Sequence, residues 1–148
     1  MQLDKYQLKS EEELTRFEFI SEGPNGAIRK LIEFQRTTAP DVYNLAFGDK
    51  HPETGAIDDL AVSDNSDTSK ILATVVAAVY AFLERNPTAF VYAQGSTMNR
   101  TRLYRMGINR HYDQMQRDFY LYGRIGEDFL DFEPQVTYEG FLAQRKLS

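Results

Sequence analysis

The chain has 148 residues, no cysteine, no tryptophan, two histidines and a formal net charge of −5. That length suits one domain spanning residues 1–148, and an apolar fraction of 42% is enough for one core. The lack of cysteine excludes a disulfide framework and thiolate chemistry. With only His51 and His111, a zinc site would have to draw on carboxylates, so neither metal nor cofactor is expected. The acidic balance argues against broad nucleic-acid affinity. The longest apolar run, 71–83, is interrupted by Thr74 and too short to span a bilayer, so we expect a soluble, cytoplasmic protein.

In chain order, the first signal is "RFEFISEG", where Phe17 and Phe19 alternate with Glu18, followed by "GPNG" and "IRKLIEFQ". Alternation on both sides of a Pro–Gly reversal predicts a hairpin between Phe17–Ser21 and Ile28–Phe34. A third strand, "VYNLAFGD", follows, and then a turn-rich stretch leads into a short extended "IDDLAV". From Ser66 to Arg85 the period changes. Ile71, Leu72, Val75, Val76, Val79, Phe82 and Leu83 recur at helical spacing with alanines between them, which predicts a central helix. Asn65, Ser66 or Asp67 would cap it, and Asn86-Pro87 would end it.

Next, "TAFVYAQG" reads as a buried strand turning at Gly95-Ser96-Thr97 into a second helix near Met98. Gly107 is expected to end that helix, and Asn109 to cap a further short turn through Tyr112 and Met115. "DFYLYGRI" alternates as a strand, and Tyr138, Phe141 and Leu142 at helical spacing predict a docked terminal helix. The sum is an α+β fold: an antiparallel β-meander followed by helix-strand-helix-strand, with helices packed on a mostly antiparallel sheet.

Candidate chemistry gathers in "VYAQGSTMNRTRLYRMGINR", where arginines concentrate in an otherwise acidic chain. Ser96 and Thr97 at a helix start, with Arg100 and Tyr104 one turn apart on the same face, could receive an anion through free amides and the guanidinium. The same residues also suit an ordinary cap and a structural ion pair. Helical spacing turns Arg102 and Arg105 to the other side, and with Arg110 they form either a partner surface or a solvated face. The acidic residues Asp49, Glu53, Asp58, Asp59, Asp64 and Asp67 match no calcium-loop spacing. His111 is a candidate base for Tyr104 or Ser96, but no local nucleophile–base–orienter motif accompanies it. Most aromatics read as core, with Tyr92, Tyr120 and Tyr122 the ones expected to reach a surface.

The stretches "FEFISEGPNG", "IDDLAVSDNSDTSKILATVVAAVYAFL" and above all "GSTMNRTRLYRMG" resemble a family of small bacterial proteins catalogued only as a domain of unknown function. That resemblance implies no activity and no ligand. At fold level, the order of strands and helices is also similar to acetyl-CoA-dependent acetyltransferases, and "NRTRLYRMGI" to a run in their last helix. Here the spacing from Tyr104 to Gly107 is one residue short, and "VSDNSDTSK" stands where a glycine-rich turn would lie.

These signals favour a non-enzymatic interaction or regulatory component with a protein partner, for example one half of a toxin–antitoxin-type module, able to form homo-oligomers. The alternative is an anion-binding domain for nucleotide, CoA ester or RNA phosphate, or an acetyltransferase-like enzyme, with its site at Gly95–Arg100.

Overall fold

A computed structural model describes residues 4–10, 14–58 and 65–147. The chain runs β1 (Lys9–Ser10), β2 (Arg16–Gly23), β3 (Gly26–Arg36), β4 (Val42–Lys50), β5 (Ile57–Asp58), α1 (Thr68–Arg85), β6 (Phe90–Ala93), α2 (Met98–Arg110), α3 (Tyr112–Asp118), β7 (Phe119–Ile125), β8 (Asp128–Asp131) and β9 (Gly140–Arg145). These strands form one sheet in the order β1-β2-β3-β4-β6-β9-β7-β8, with β5 paired to β4. Every pairing is antiparallel except β4 with β6, which α1 joins as a crossover.

The predicted hairpin is present: Gly23 faces Gly26 across Pro24 and Asn25. Gly26 holds φ +88°, a left-handed conformation open to glycine at little steric cost. Of "IDDLAV", only Ile57 and Asp58 lie in a strand, and the rest fall outside the described residues.

The core lies between α1 and one face of the sheet. Val75, Val76, Val79, Phe82 and Leu83 meet Phe17, Phe19, Ile32, Phe34, Leu45 and Phe47 of the meander, together with Val91, Met115 and Phe119. Phe82 stacks on Phe34 at 4.3 Å between ring centroids. Fully burying such a side chain contributes about 1.5–3 kcal/mol. A second cluster of Phe132, Tyr138 and Phe141 packs against Tyr104, Ile108 and Tyr112.

Three expectations for the second half are corrected. Gly107 does not end α2, which continues to Arg110. It lies inside the helix facing Leu72 and Val76, where the missing side chain lets α2 approach α1. The short helix that follows has His111 rather than Asn109 at its N-cap position, and that side chain makes no capping hydrogen bond. The expected terminal helix is strand β9, which inserts between β6 and β7, with Phe141 and Ala143 in the core and Leu142 on the opposite face. A strand that is apolar on both faces mimics helical spacing over so few residues.

Candidate functional site

The predicted anion turn is built largely by its own backbone. Thr97 caps α2, its hydroxyl accepting the Arg100 amide at 3.2 Å. Thr101 Oγ1 accepts the Gly95 amide at 3.0 Å, and a Cβ on Gly95 would lie 2.3 Å from that of Arg100. Ser96 and Thr97 are exposed, while Arg100 is half-buried and donates to the Phe47 carbonyl at 3.4 Å. That carbonyl lies two residues beyond the last β4–β6 partners, Leu45 and Ala93. Tyr104 sits one turn further on between the two apolar clusters. It lines an apolar cavity of about 60 Å³ shared with Leu72, Val76, Gly107 and Ile108.

The arginines expected to face solvent together are separated. Arg102 is exposed, and Arg110 is exposed and donates to Ser69 Oγ. Arg105 turns inward. Its Nη2 reaches the Pro134 carbonyl at 3.3 Å, and its Nε is buried without a partner. A helical wheel could not anticipate this, because the covering segment around Pro134 comes from the chain after β8.

A cleft of about 840 Å³ opens at the amino end of α1, lined by Asp4, Ser66, Thr68, Ser69, Lys70, Arg110 and His111 among others. Asp67 occupies the N-cap position without capping. Its carboxylate instead accepts Tyr6 Oη and Ser21 Oγ, while Asn65 ties Ser21, Asn25 and Gly26 of the hairpin. Asp67 therefore caps none of the first-turn amides of α1. His111 is 7% exposed, and its Nε2 meets no partner. Burial, with Arg110 as a lesser cause, pushes its pKa below the ordinary histidine value. It stands at the far end of α2 from Ser96, about 20 Å away at 1.5 Å per residue, and so cannot act on it as a base. Among the described residues no three His, Asp or Glu side chains gather for a metal.

The third feature is the sheet face that carries no helix among the described residues. Side chains of all three helices share the core cluster with Leu45, Val91, Phe119 and Ala143, which puts the helices on one side. The alternate positions of β4, β6, β9 and β7 face away. They form the cross-strand rows Asn44–Tyr92–Leu142–Tyr122 and Val42–Phe90–Gln144–Tyr120. Tyr120 and Phe129 are nearly half exposed, at 48% and 46%. The Tyr92 ring lies over Gly140, where any Cβ would sit 2.1 Å from its hydroxyl. Arg124 Nε donates to Tyr92 Oη at 2.7 Å, and both residues meet the Gln94 carboxamide. Tyr92, Tyr120 and Tyr122 are the surface aromatics expected from the sequence, but alternation alone does not say that one face stays bare.

The family match is as long as the fold itself, with residues 2–146 aligning to one family of unknown function, DUF6934. The chain belongs to DUF6934. No curated protein and no solved structure matches it, so nothing beyond the order of elements and the run "NRTRLYRMGI" supports the likeness to acetyltransferases. No helix among the described residues is long and apolar enough to cross a membrane. DUF6934 brings no ligand with it, so function has to be argued from the turn, the cleft and the bare face.

Proposed function

We propose that this DUF6934 protein is a non-enzymatic interaction component that engages a macromolecular partner through the helix-free face of β6, β9, β7 and β8. The observation that carries this reading is the bare face, where Phe90, Tyr92, Tyr120, Tyr122, Leu142 and Phe129 stand with amide side chains and no covering helix. Aromatic enrichment with depletion of charge is the compositional mark of an interface core. Tyr120 and Phe129 nevertheless stand about half in water, apolar surface that a partner would cover.

Affinity purification of a tagged copy from native cells tests it. The wild type should retain a stoichiometric partner that a Tyr120→Ala, Phe129→Ser double variant releases while keeping its urea midpoint. Equal retention by the two would overturn the reading.

A second reading, anion binding, draws on the cleft at α1, where the amino end of the helix that Asp67 does not cap meets Lys70 and Arg110. Thermal-shift screening with nucleotides and CoA esters separates the two. A ligand at 100 times its Kd adds about 2.7 kcal/mol of stability, which Arg110→Gln should reduce.

A further inference from the structure

We propose that the occupant of the helix-free face is single-stranded nucleic acid, a step that rests on the binding role proposed above. The first observation is geometric. Phe90 and Tyr92 on β6 stand opposite Tyr120 and Tyr122 on β7, with β9 between them. Two inter-strand spacings separate the pairs by about 10 Å, and residues two apart on one strand lie about 7 Å from each other. Four rings therefore mark the corners of a shallow rectangle, with the carboxamide of Gln144 and the side chain of Leu142 between them. Rings on an open sheet offer stacking surfaces to splayed bases, and carboxamides offer paired donors and acceptors to base edges.

The second observation is charge. In a chain with 22 acidic against 17 basic residues, the helix-free positions of β4, β6, β9 and β7 hold no carboxylate at all. Cations sit beside the rings instead: Arg124 Cζ lies 6.0 Å from the Tyr92 centroid and Lys146 Nζ 5.4 Å from that of Tyr120. Carboxylates border these positions: Glu139 at 3.9 Å from Arg124, Asp131 on β8 opposite Tyr122, and Glu33 on β3 opposite Ala46. With only two cations beside the rings, binding at this patch is driven by stacking more than by phosphate neutralisation. A duplex keeps its bases stacked inside and cannot use the rings.

Fluorescence anisotropy with labelled oligo-U and oligo-dT of about twelve nucleotides, within the range one binding face covers, tests the proposal. Wild type should bind saturably, and a duplex of equal length should fail to compete. Tyr120→Ala and Tyr122→Ala should each weaken binding about tenfold, the scale of one lost stacking contact. Ile20→Ser, exposed on β2 outside the patch, should bind like wild type. With two cations the slope of log K against log salt should be no steeper than about −1.4. Equal binding by the tyrosine variants, or a much steeper slope, would place the contact elsewhere and overturn the proposal. No anisotropy change at about 0.1 mM protein, the weak end of non-specific affinities, would do the same. If in that case the face variants still release a captured protein, the binding role stands and only the nucleic-acid partner falls.

Discussion

Replacing Gly107 by alanine should make this protein more stable. In an exposed helix the exchange is worth about 0.8–1.0 kcal/mol through backbone entropy alone, and Gly107 lies three residues inside the carboxyl end of α2. The added methyl would meet Leu72 Cδ2 at 3.5 Å, Leu72 Cβ at 3.8 Å and Val76 Cγ2 at 4.0 Å, all ordinary contacts. It points toward the apolar cavity of about 60 Å³, and removing one such group from water contributes about 0.8 kcal/mol. A gain of about 1.5 kcal/mol follows, or about 3–6 °C in Tm for a chain of this size. Urea unfolding followed by circular dichroism would show a higher midpoint at unchanged slope. Gly123→Ala is the internal contrast, since its Cβ would fall 2.2 Å from the Tyr138 ring, and it should lose about 1–3 kcal/mol. A neutral or destabilising Gly107→Ala would mean that α2 does not run through this position against α1. Neither exchange lies on the helix-free face, so binding there should persist wherever the fold does.

Val76 is 5% exposed in the centre of α1, and Val76→Asp should abolish cooperative unfolding in a thermal scan, because the new carboxylate has no partner there. Among the arginines, Arg102→Ala should change the urea midpoint by less than about 0.5 kcal/mol, as expected for an exposed side chain. Arg100→Ala should cost about 1–3 kcal/mol by removing the donor to the Phe47 carbonyl, and Arg105→Ala should cost more than Arg102→Ala through lost packing; equal small losses from all three would refute this ranking. Because the folded pKa of His111 is depressed, the unfolded chain takes up that proton first, so stability should fall as pH drops below about 6.5. His111→Gln should flatten that part of the urea-midpoint profile. Glu18, held low first by its hydrogen bond to Lys50, contributes stability above about pH 4.5 that is lost on further acidification.

Local signals were strong where local physics decides. Pro24 and Gly26 can only make a reversal, and eighteen residues with apolar positions three and four apart can only be a buried helix, so the meander and α1 were readable. The misreadings share one cause. Gly107, Arg105 and the segment from Tyr138 to Leu142 are each decided by something distant in sequence: Leu72 and Val76 behind the glycine, Pro134 over the arginine, and β6 and β7 on either side of β9. At the candidate sites, the sequence offered Ser96 or Thr97 as the cap, of which Thr97 serves, and Tyr92, Tyr120 and Tyr122 as surface residues. The cleft at α1 escaped it because Asp67 spends its carboxylate on Tyr6 and Ser21, sixty-one and forty-six positions away.

The place of β9 also sets an order in time. As the chain leaves the ribosome, β6 and β7 are made first, and each must wait with one unpaired edge until residues 140–145 emerge to join them. The meander can close on α1 early, since its contacts are among residues already synthesised. The other half of the sheet, including the aromatic strands, remains two separate pieces until nearly the last of these residues is added. During that interval the nascent protein exposes two sticky strand edges and depends on rapid capture of its final strand to escape misassociation.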